Sequence, residues 1–157
     1  MSAADPRALA AAPRGVGVDL VDVAAFAEQL DRPGTVFAER VFTPGELAAA
    51  RARGLGGDRL TRHLAGRWAA KEAVFKAWSS TRFGQPPALA EAELDWREIE
   101  IPADARGRPG VRLHGAVAAA VAAGHPGAGF AVSISHDGDY AVAVAALTRV
   151  EPGDPAR

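Results

Sequence analysis

Apolar and polar residues alternate near the N-terminus in the pattern of a β-strand. The segment 15–21 (GVGVDLV) places Val16, Val18 and Leu20 on one face and Asp19 on the other. Aspartate is disfavoured inside strands, so the presence of Asp19 in this one has to be explained. It is either a strand-end or capping residue or a functional carboxylate, and the pattern leaves both interpretations open.

Two further alternating segments near the C-terminus predict a β-hairpin. Residues 130–136 (FAVSISH) and 140–147 (YAVAVAAL) flank the sequence Asp-Gly-Asp, and an Asp-Gly pair between alternating segments is a good hairpin signal. Two shorter strands are predicted over 93–101 (ELDWREIEI) and 111–114 (VRLH), with a turn between them.

Four segments carry the signals of α-helices. Asp22 can cap a helix over 23–30, and residues 43–46 (TPGE) have the composition of a capping box. Residues 59–79 predict a long helix with an apolar face, and 115–124 predict an alanine-rich helix that ends at a glycine.

The predicted order β-α-α-α-β-β-α-β-β indicates an α+β fold, with helices on one face of a largely antiparallel sheet. We expect one domain over 14–147, a flexible N-terminal extension over 1–13 and a disordered tail over 148–157.

Composition narrows the function classes. The formal net charge of −1 does not indicate a nucleic-acid or membrane partner, and the lack of cysteine excludes disulfides and cysteine-based metal or redox sites. No apolar run reaches the ~18 residues of a membrane helix, and the N-terminus does not have the pattern of a signal peptide. These features fit a cytoplasmic protein.

Lysine usage draws attention to the predicted long helix. Of 18 basic residues only Lys71 and Lys76 are lysines, and they flank Glu72. Glu72 and Lys76 are four residues apart and therefore share a helix face. They form either a solvated ion pair or part of a site. Because a lysine is a compact charge whose pKa can shift, its retention in an arginine-rich chain favours a site.

Two other residues could join that site. Asp19 and Glu72 would suit Mg²⁺, which accepts one or two carboxylates and completes its coordination with water and substrate phosphates. His136, at the predicted hairpin turn, is either a solvated residue or a donor or general base beside a phosphate.

Three segments resemble motifs of the 4′-phosphopantetheinyl transferases, specifically the short holo-[acyl-carrier-protein] synthase type. The segment GVGVDLVDV is similar to the first-strand motif, with Asp19 as its metal-binding aspartate. The segment AGRWAAKEAVFKA is similar to the central signature of the family, and VSISHDGDYAVAVA is similar to the closing hairpin with its histidine.

The resemblance implies that the phosphopantetheine arm of coenzyme A is moved to a serine of an apo acyl carrier protein, with Mg²⁺, releasing 3′,5′-ADP. It implies a homotrimer with sites between neighbouring subunits. The metal ligands would be Asp19 and Glu72. The implied catalytic residues are Asp19, Glu72, Lys76 and His136, and the implied contacts to coenzyme A are Arg67, Lys71, Ser135 and His136.

One departure from the family pattern leaves an alternative open. Ala25 stands where the family usually has an arginine on the helix that meets the acidic carrier protein. The alternative is a catalytically weakened member that binds coenzyme A or acts as a scaffold, although the intact Asp19, Glu72 and Lys76 argue against it. A metal-dependent hydrolase is a third hypothesis. The carrier could serve fatty-acid, polyketide or peptide synthesis.

Overall fold

The computed structural model describes residues 13–149. The expected extension (1–13) and tail (148–157) lie outside these residues except for positions 13, 148 and 149. Among the described residues no helix combines the length and the hydropathy needed to span a bilayer. In chain order the elements are β1 (Gly15–Asp22), α1 (Val23–Asp31), α2 (Phe37–Val41), α3 (Pro44–Ala52), α4 (Gly57–Ser80), β2 (Ile99–Glu100), β3 (Arg112–Leu113), α5 (Gly115–Gly124), β4 (Ala128–Asp137) and β5 (Tyr140–Arg149).

Strands β1, β5 and β4 form an antiparallel sheet in that order, and β2 pairs with β3 in a separate two-stranded sheet. The hairpin prediction is confirmed, and Gly138 in its turn has a φ of 51°, a conformation that favours glycine. Strand β5 extends to Arg149, two residues into the segment expected to be a tail. The predicted α+β class is confirmed.

Helix α4 packs across all three strands on one face of this sheet. Two glycines of β1 permit the close contact, because a Cβ atom at Gly15 or Gly17 would lie 2.1 Å from a carbonyl oxygen of α4. Most of the core lies at this contact and at the packing of α4 against α1 and the segment before β2. The site residues on β1 and α4 are therefore held by the most closely packed part of the molecule.

The opposite face of the sheet is open and apolar. The side chains of Val16, Val18 and Leu20 are 54%, 56% and 61% exposed, and Val144 of β5 lies on the same side. We call these four residues the open face. The more apolar side of β1 thus points away from α4, because the helix requires the smaller residues beneath it.

The predicted helix caps are confirmed. Asp22 accepts a hydrogen bond from the Ala25 amide at 2.9 Å, and Thr43 and Glu46 form a reciprocal capping box. The prediction of a strand over 93–101 is wrong except at β2, because two 3₁₀ turns, Glu91–Glu93 and Trp96–Glu98, occupy four of its nine positions and interrupt the extended backbone. Asp95 favours the second turn by accepting from the Arg97 amide, a local bond that competes with strand pairing.

Candidate active site

Asp19, Glu72 and Lys76 come together where β1 contacts α4. The Asp19 side chain projects from the buried face of β1, and Lys76 Nζ donates a hydrogen bond to its Oδ1 atom at 2.6 Å. Asp19 Oδ2 is buried and has no hydrogen-bond partner among residues 13–149. The side chain of Lys76 is half exposed, so this carboxylate–lysine pair lies at the edge of the core and not inside it.

The electrostatics of this cluster favour an additional cation. Burial, together with the negative charge of Asp19, raises the pKa of Glu72 to about 7, and the positive charge of Lys76 only partly opposes these effects. One lysine therefore does not compensate two neighbouring carboxylates. A divalent cation bound here would relieve their repulsion and would give Asp19 Oδ2 a partner.

The donor set fits Mg²⁺ in particular. Asp19 and Glu72 supply carboxylate oxygens, and within residues 13–149 no group of three or more acidic or histidine side chains is arranged to hold a metal. Mg²⁺ dehydrates reluctantly and is commonly held by one or two carboxylates, with water and substrate phosphates in the remaining positions. The pair therefore suits a metal that is shared with a phosphate substrate.

A second cluster surrounds His136 at the end of β4. Its Nε2 atom donates to the carbonyl oxygen of Arg62 at 2.9 Å, because a carbonyl can only accept. The ring lies against α4, where a Cβ atom on Gly66 would be 2.7 Å from Nε2. His136 also lines a cavity of about 310 Å³ together with Arg53, His63 and Arg67. We call this cavity the basic cavity.

The basic cavity has the character of an anion site. Arg67 is buried, and its Nη1 atom has no hydrogen-bond partner among the described residues. Burial lowers the pKa of Arg67, and burial together with Arg67 and Arg53 lowers the pKa of His63 to about 4. Sequence reasoning included Arg67 and His136 but missed His63 and Arg53. The four-residue spacing of His63 and Arg67 was the available signal, whereas Arg53 directly follows α3, a different helix that ends at Ala52.

Within one chain the two clusters do not meet. In the sheet, Asp19 pairs with Ala143 and Ala143 with Ile134, so His136 lies two strands and two residues from Asp19. These offsets are about 10 Å across the strands and about 7 Å along them. Ser135 faces the other side of the sheet, because it is in register with Val142 and Leu20. The structure thus brings Asp19, Glu72 and Lys76 together, and separately Arg67 and His136.

The structure places Lys71 in the core. It is fully buried, and its ammonium group donates to Glu46 Oε2 at 2.9 Å and to the carbonyl oxygens of Trp96 and Ile99 at 3.2 and 2.6 Å. An ammonium group has three protons, and all three have partners here. The expectation that Lys71 contacts a nucleotide phosphate does not fit this geometry, because no N–H group is left to donate.

Comparison with known proteins agrees with the motifs. A model of the 4′-phosphopantetheinyl transferase superfamily matches residues 15–145. The chain is 51% identical over 133 residues to a holo-[acyl-carrier-protein] synthase of Corynebacterium glutamicum, covering 85% of this chain and 96% of that protein. It is 53% identical over 133 residues to the holo-[acyl-carrier-protein] synthase of Mycobacterium tuberculosis, covering 85% and 95%.

A solved structure shares the fold as well. The ACPS–CoA complex of Chronobacterium ammoniagenes superposes with a TM-score of 0.78 at 47% identity, covering 87% of this chain and 98% of that chain. The two carboxylates and the lysine at the contact of β1 and α4 are the residues that the resemblance to this family assigns to its active site. The chain belongs to the 4′-phosphopantetheinyl transferase superfamily, and within it to the holo-[acyl-carrier-protein] synthase type.

Proposed function

We propose that this enzyme transfers the 4′-phosphopantetheine arm of coenzyme A to a serine of an apo acyl carrier protein in a Mg²⁺-dependent reaction that releases 3′,5′-ADP. The observation that carries the proposal is the cluster of Asp19, Glu72 and Lys76, in which a buried carboxylate oxygen has no hydrogen-bond partner within residues 13–149. The relatives described above are holo-[acyl-carrier-protein] synthases, and one of them was solved with coenzyme A. A cysteine-free chain suits the cytoplasm, which we propose as its location.

Each residue of the cluster has a chemical role in this proposal. Asp19 and Glu72 hold Mg²⁺, which when bound neutralises the pyrophosphate charge of coenzyme A and polarises the attacked phosphorus. Glu72 accepts the proton of the carrier serine as that serine attacks. Lys76, which is half exposed, stabilises or protonates the leaving phosphate. Arg67 and His136 contact the phosphates of coenzyme A from the basic cavity.

A second candidate function is binding of coenzyme A without efficient transfer. Ala25 favours it, because this residue is exposed on α1 and offers no cation to an acidic carrier protein. An assay with coenzyme A, Mg²⁺ and a panel of apo carrier proteins, followed by intact mass, distinguishes the two functions. Transfer to at least one carrier supports the transferase. Binding of coenzyme A with no transfer to any carrier supports the second candidate.

The metal ligands are tested in the same assay. Asp19→Ala and Glu72→Ala should each abolish transfer without unfolding the chain, because each removes a ligand and little core volume. Glu91→Ala is the matched control, since it removes an exposed carboxylate that lies outside both the cluster and α1. Chelation should stop transfer reversibly. Full transfer in excess chelator would contradict the metal assignment.

We also propose a homotrimer whose active sites lie between subunits. The open face supports it, because Val16, Val18 and Leu20 are each more than half exposed. Burying the exposed part of each side chain in an interface would stabilise the assembly by about 1 kcal/mol, roughly half of the 1.5–3 kcal/mol for burying a whole apolar side chain. The separation of His136 from Asp19 within one chain is the second support. A neighbouring subunit could supply its His136, and Ser135 lies on the same side of the sheet as the open face.

Mixing two inactive variants tests the shared site. Suppose that each site combines Asp19 of one subunit with His136 of its neighbour. When Asp19→Ala and His136→Ala chains are mixed and exchanged in equal amounts, about half of the sites receive an intact Asp19, and about half of those also receive an intact His136. About a quarter of the sites should therefore be restored. Asp19→Ala mixed with Glu72→Ala should restore none, because those residues meet within one chain. A monomer by light scattering, or no restoration after exchange, would refute the shared site.

A further inference from the structure

Three side chains separate two cavities that differ in charge. Arg53, His63 and Arg67 line both the basic cavity and a neighbouring cavity of about 210 Å³. The neighbouring cavity is also lined by Glu46 and Glu100, whereas no carboxylate among residues 13–149 lines the basic cavity. An anion would therefore be attracted more strongly into the basic cavity than into its neighbour, where the two carboxylates offset the charge of the same two arginines.

His63 is the group in this wall whose charge can change. Arginines stay protonated at any physiological pH. His136 lines the basic cavity but not this shared wall, and its Nε2–H group donates to the Arg62 carbonyl. The charged groups that act on His63 come from three elements: Arg67 lies one turn further along α4, Arg53 and Glu46 belong to the α3 region, and His136 belongs to β4.

These neighbours keep His63 neutral when the cavity holds no anion. The pKa of His63 is lowered to about 4, first by burial and then by the positive charges of Arg67 and Arg53. Glu46 opposes this effect only weakly, since its carboxylate is engaged by Lys71 and by the Thr43 and Ile101 amides. At neutral pH this wall thus presents two guanidinium groups and the neutral imidazole of His63.

We infer that His63 takes up a proton when a phosphate group of coenzyme A enters the basic cavity, so that nucleotide binding is coupled to proton uptake. A phosphate carries one or two negative charges, and an opposite charge within about 4–6 Å favours the charged form of a histidine. The protonated ring then adds an N–H donor to those of the two arginines. This inference rests on the proposed function, because it takes coenzyme A as the ligand.

The coupling has a direct consequence for affinity. Since the bound state holds a proton that the free state lacks, binding must become tighter as the pH falls. If the pKa of His63 in the complex is about 6.5, affinity should rise about tenfold between pH 8 and pH 5.5 through this group alone. The phosphate of the ligand and Glu72 also titrate in this range, so a variant that lacks His63 is needed to isolate its part.

The test is an NMR titration of the histidine ring signals of the full chain, with and without saturating coenzyme A. His63→Gln identifies the signal, and His114→Gln is the control, since it changes an exposed histidine outside the basic cavity. We expect the His63 signal to titrate near pH 4 without ligand and above about pH 6 with it. Bound coenzyme A with an unchanged His63 titration would overturn the inference and leave the proposed function standing.

Calorimetry gives an independent measurement. In buffers of different ionisation enthalpy at pH 6, wild type should take up more protons per bound coenzyme A than His63→Gln, by about three-quarters of a proton if the pKa of His63 in the complex is about 6.5. When the pH is lowered from 8 to 5.5, the affinity of wild type for coenzyme A should rise by a factor about ten times larger than the factor for His63→Gln. Equal proton uptake by both proteins would overturn the inference. Absence of coenzyme A binding to wild type would instead overturn the proposed function, and this inference with it.

Discussion

Replacing Lys71 by methionine separates a structural lysine from a phosphate-binding one. Methionine has nearly the length and volume of lysine, so the substitution removes the charge and leaves little cavity. Glu46 would lose the ammonium partner at 2.9 Å but keep the Thr43 and Ile101 amides. The carbonyl oxygens of Trp96 and Ile99 would each lose a donor.

The size of the effect follows from burial. Lys71 is fully buried and Glu46 nearly so, and removing one partner of a buried ion pair costs about 3–5 kcal/mol because the other charge is left uncompensated. For a chain of this size each kcal/mol corresponds to about 2–4 °C in Tm, so Lys71→Met should lower Tm by about 6–20 °C. The double variant Lys71→Met/Glu46→Gln should lose less free energy of unfolding than the sum of the losses in the two single variants, because it also removes the Glu46 charge that Lys71→Met leaves unpaired.

Thermal and urea unfolding at one fixed protein concentration measure this effect, since association would make Tm depend on concentration. Arg59→Met is the matched control: it removes an exposed cation from the same helix and should change the free energy of unfolding by no more than about 0.5 kcal/mol. In protein that remains folded, the KM for coenzyme A should change little. An unchanged Tm together with a raised KM for coenzyme A would refute the structural role and would indicate that Lys71 binds a phosphate of coenzyme A.

Three further changes test the active site and its partner surface. Lys76→Arg replaces a compact ammonium with a planar fork, and we expect turnover at saturating substrates to fall by at least about tenfold, or ~1.4 kcal/mol in the barrier; normal turnover would exclude a chemical role for Lys76. In the folded protein the pKa of Glu72 is raised to about 7, so between about pH 5 and 7 the folded chain keeps a proton that the unfolded chain has lost. The stability that this proton contributes disappears as the pH rises. In Mg²⁺-free buffer, the free energy of unfolding of wild type should therefore fall more than that of Glu72→Gln between pH 5 and pH 8. Parallel pH curves for these two proteins in urea titrations would contradict that pKa. Ala25→Arg should lower the KM for the carrier protein in a salt-dependent way with little change in turnover, and an unchanged or higher KM would show that the carrier docks elsewhere.

Local sequence signals were sufficient for most of the secondary structure. The Asp22 and Thr43 caps, the long helix and the Asp-Gly hairpin all depend on residues within a few positions of one another, and all are confirmed. The segment 93–101 is the exception. Its alternation is typical of a strand, but the capping bond of Asp95 favours a turn at Trp96–Glu98, and the buried ammonium of Lys71 binds the carbonyl oxygens of Trp96 and Ile99.

The candidate site was only partly visible in the sequence. Helical spacing alone put Glu72 and Lys76 on one face, and the family resemblance added Asp19, but the cluster exists because Gly15 and Gly17 let α4 approach β1. Arg53 joins His63 and Arg67 through the packing of α3 against α4, which no local pattern reports. For the same reason the sequence did not indicate that the more apolar side of β1 would be the open face.

The two lysines show most clearly where sequence reasoning ends. Composition alone identified Lys71 and Lys76 as unusual, and both stand on one helix beside Glu72. Five residues turn a helix through about 140° beyond one full rotation, at about 100° per residue, so the two side chains cannot share a face. The sequence therefore determined that they would point in different directions. Only the packing of α4 between the sheet and the segment before β2 decided that Lys71 would be buried against Glu46 and that Lys76 would reach Asp19.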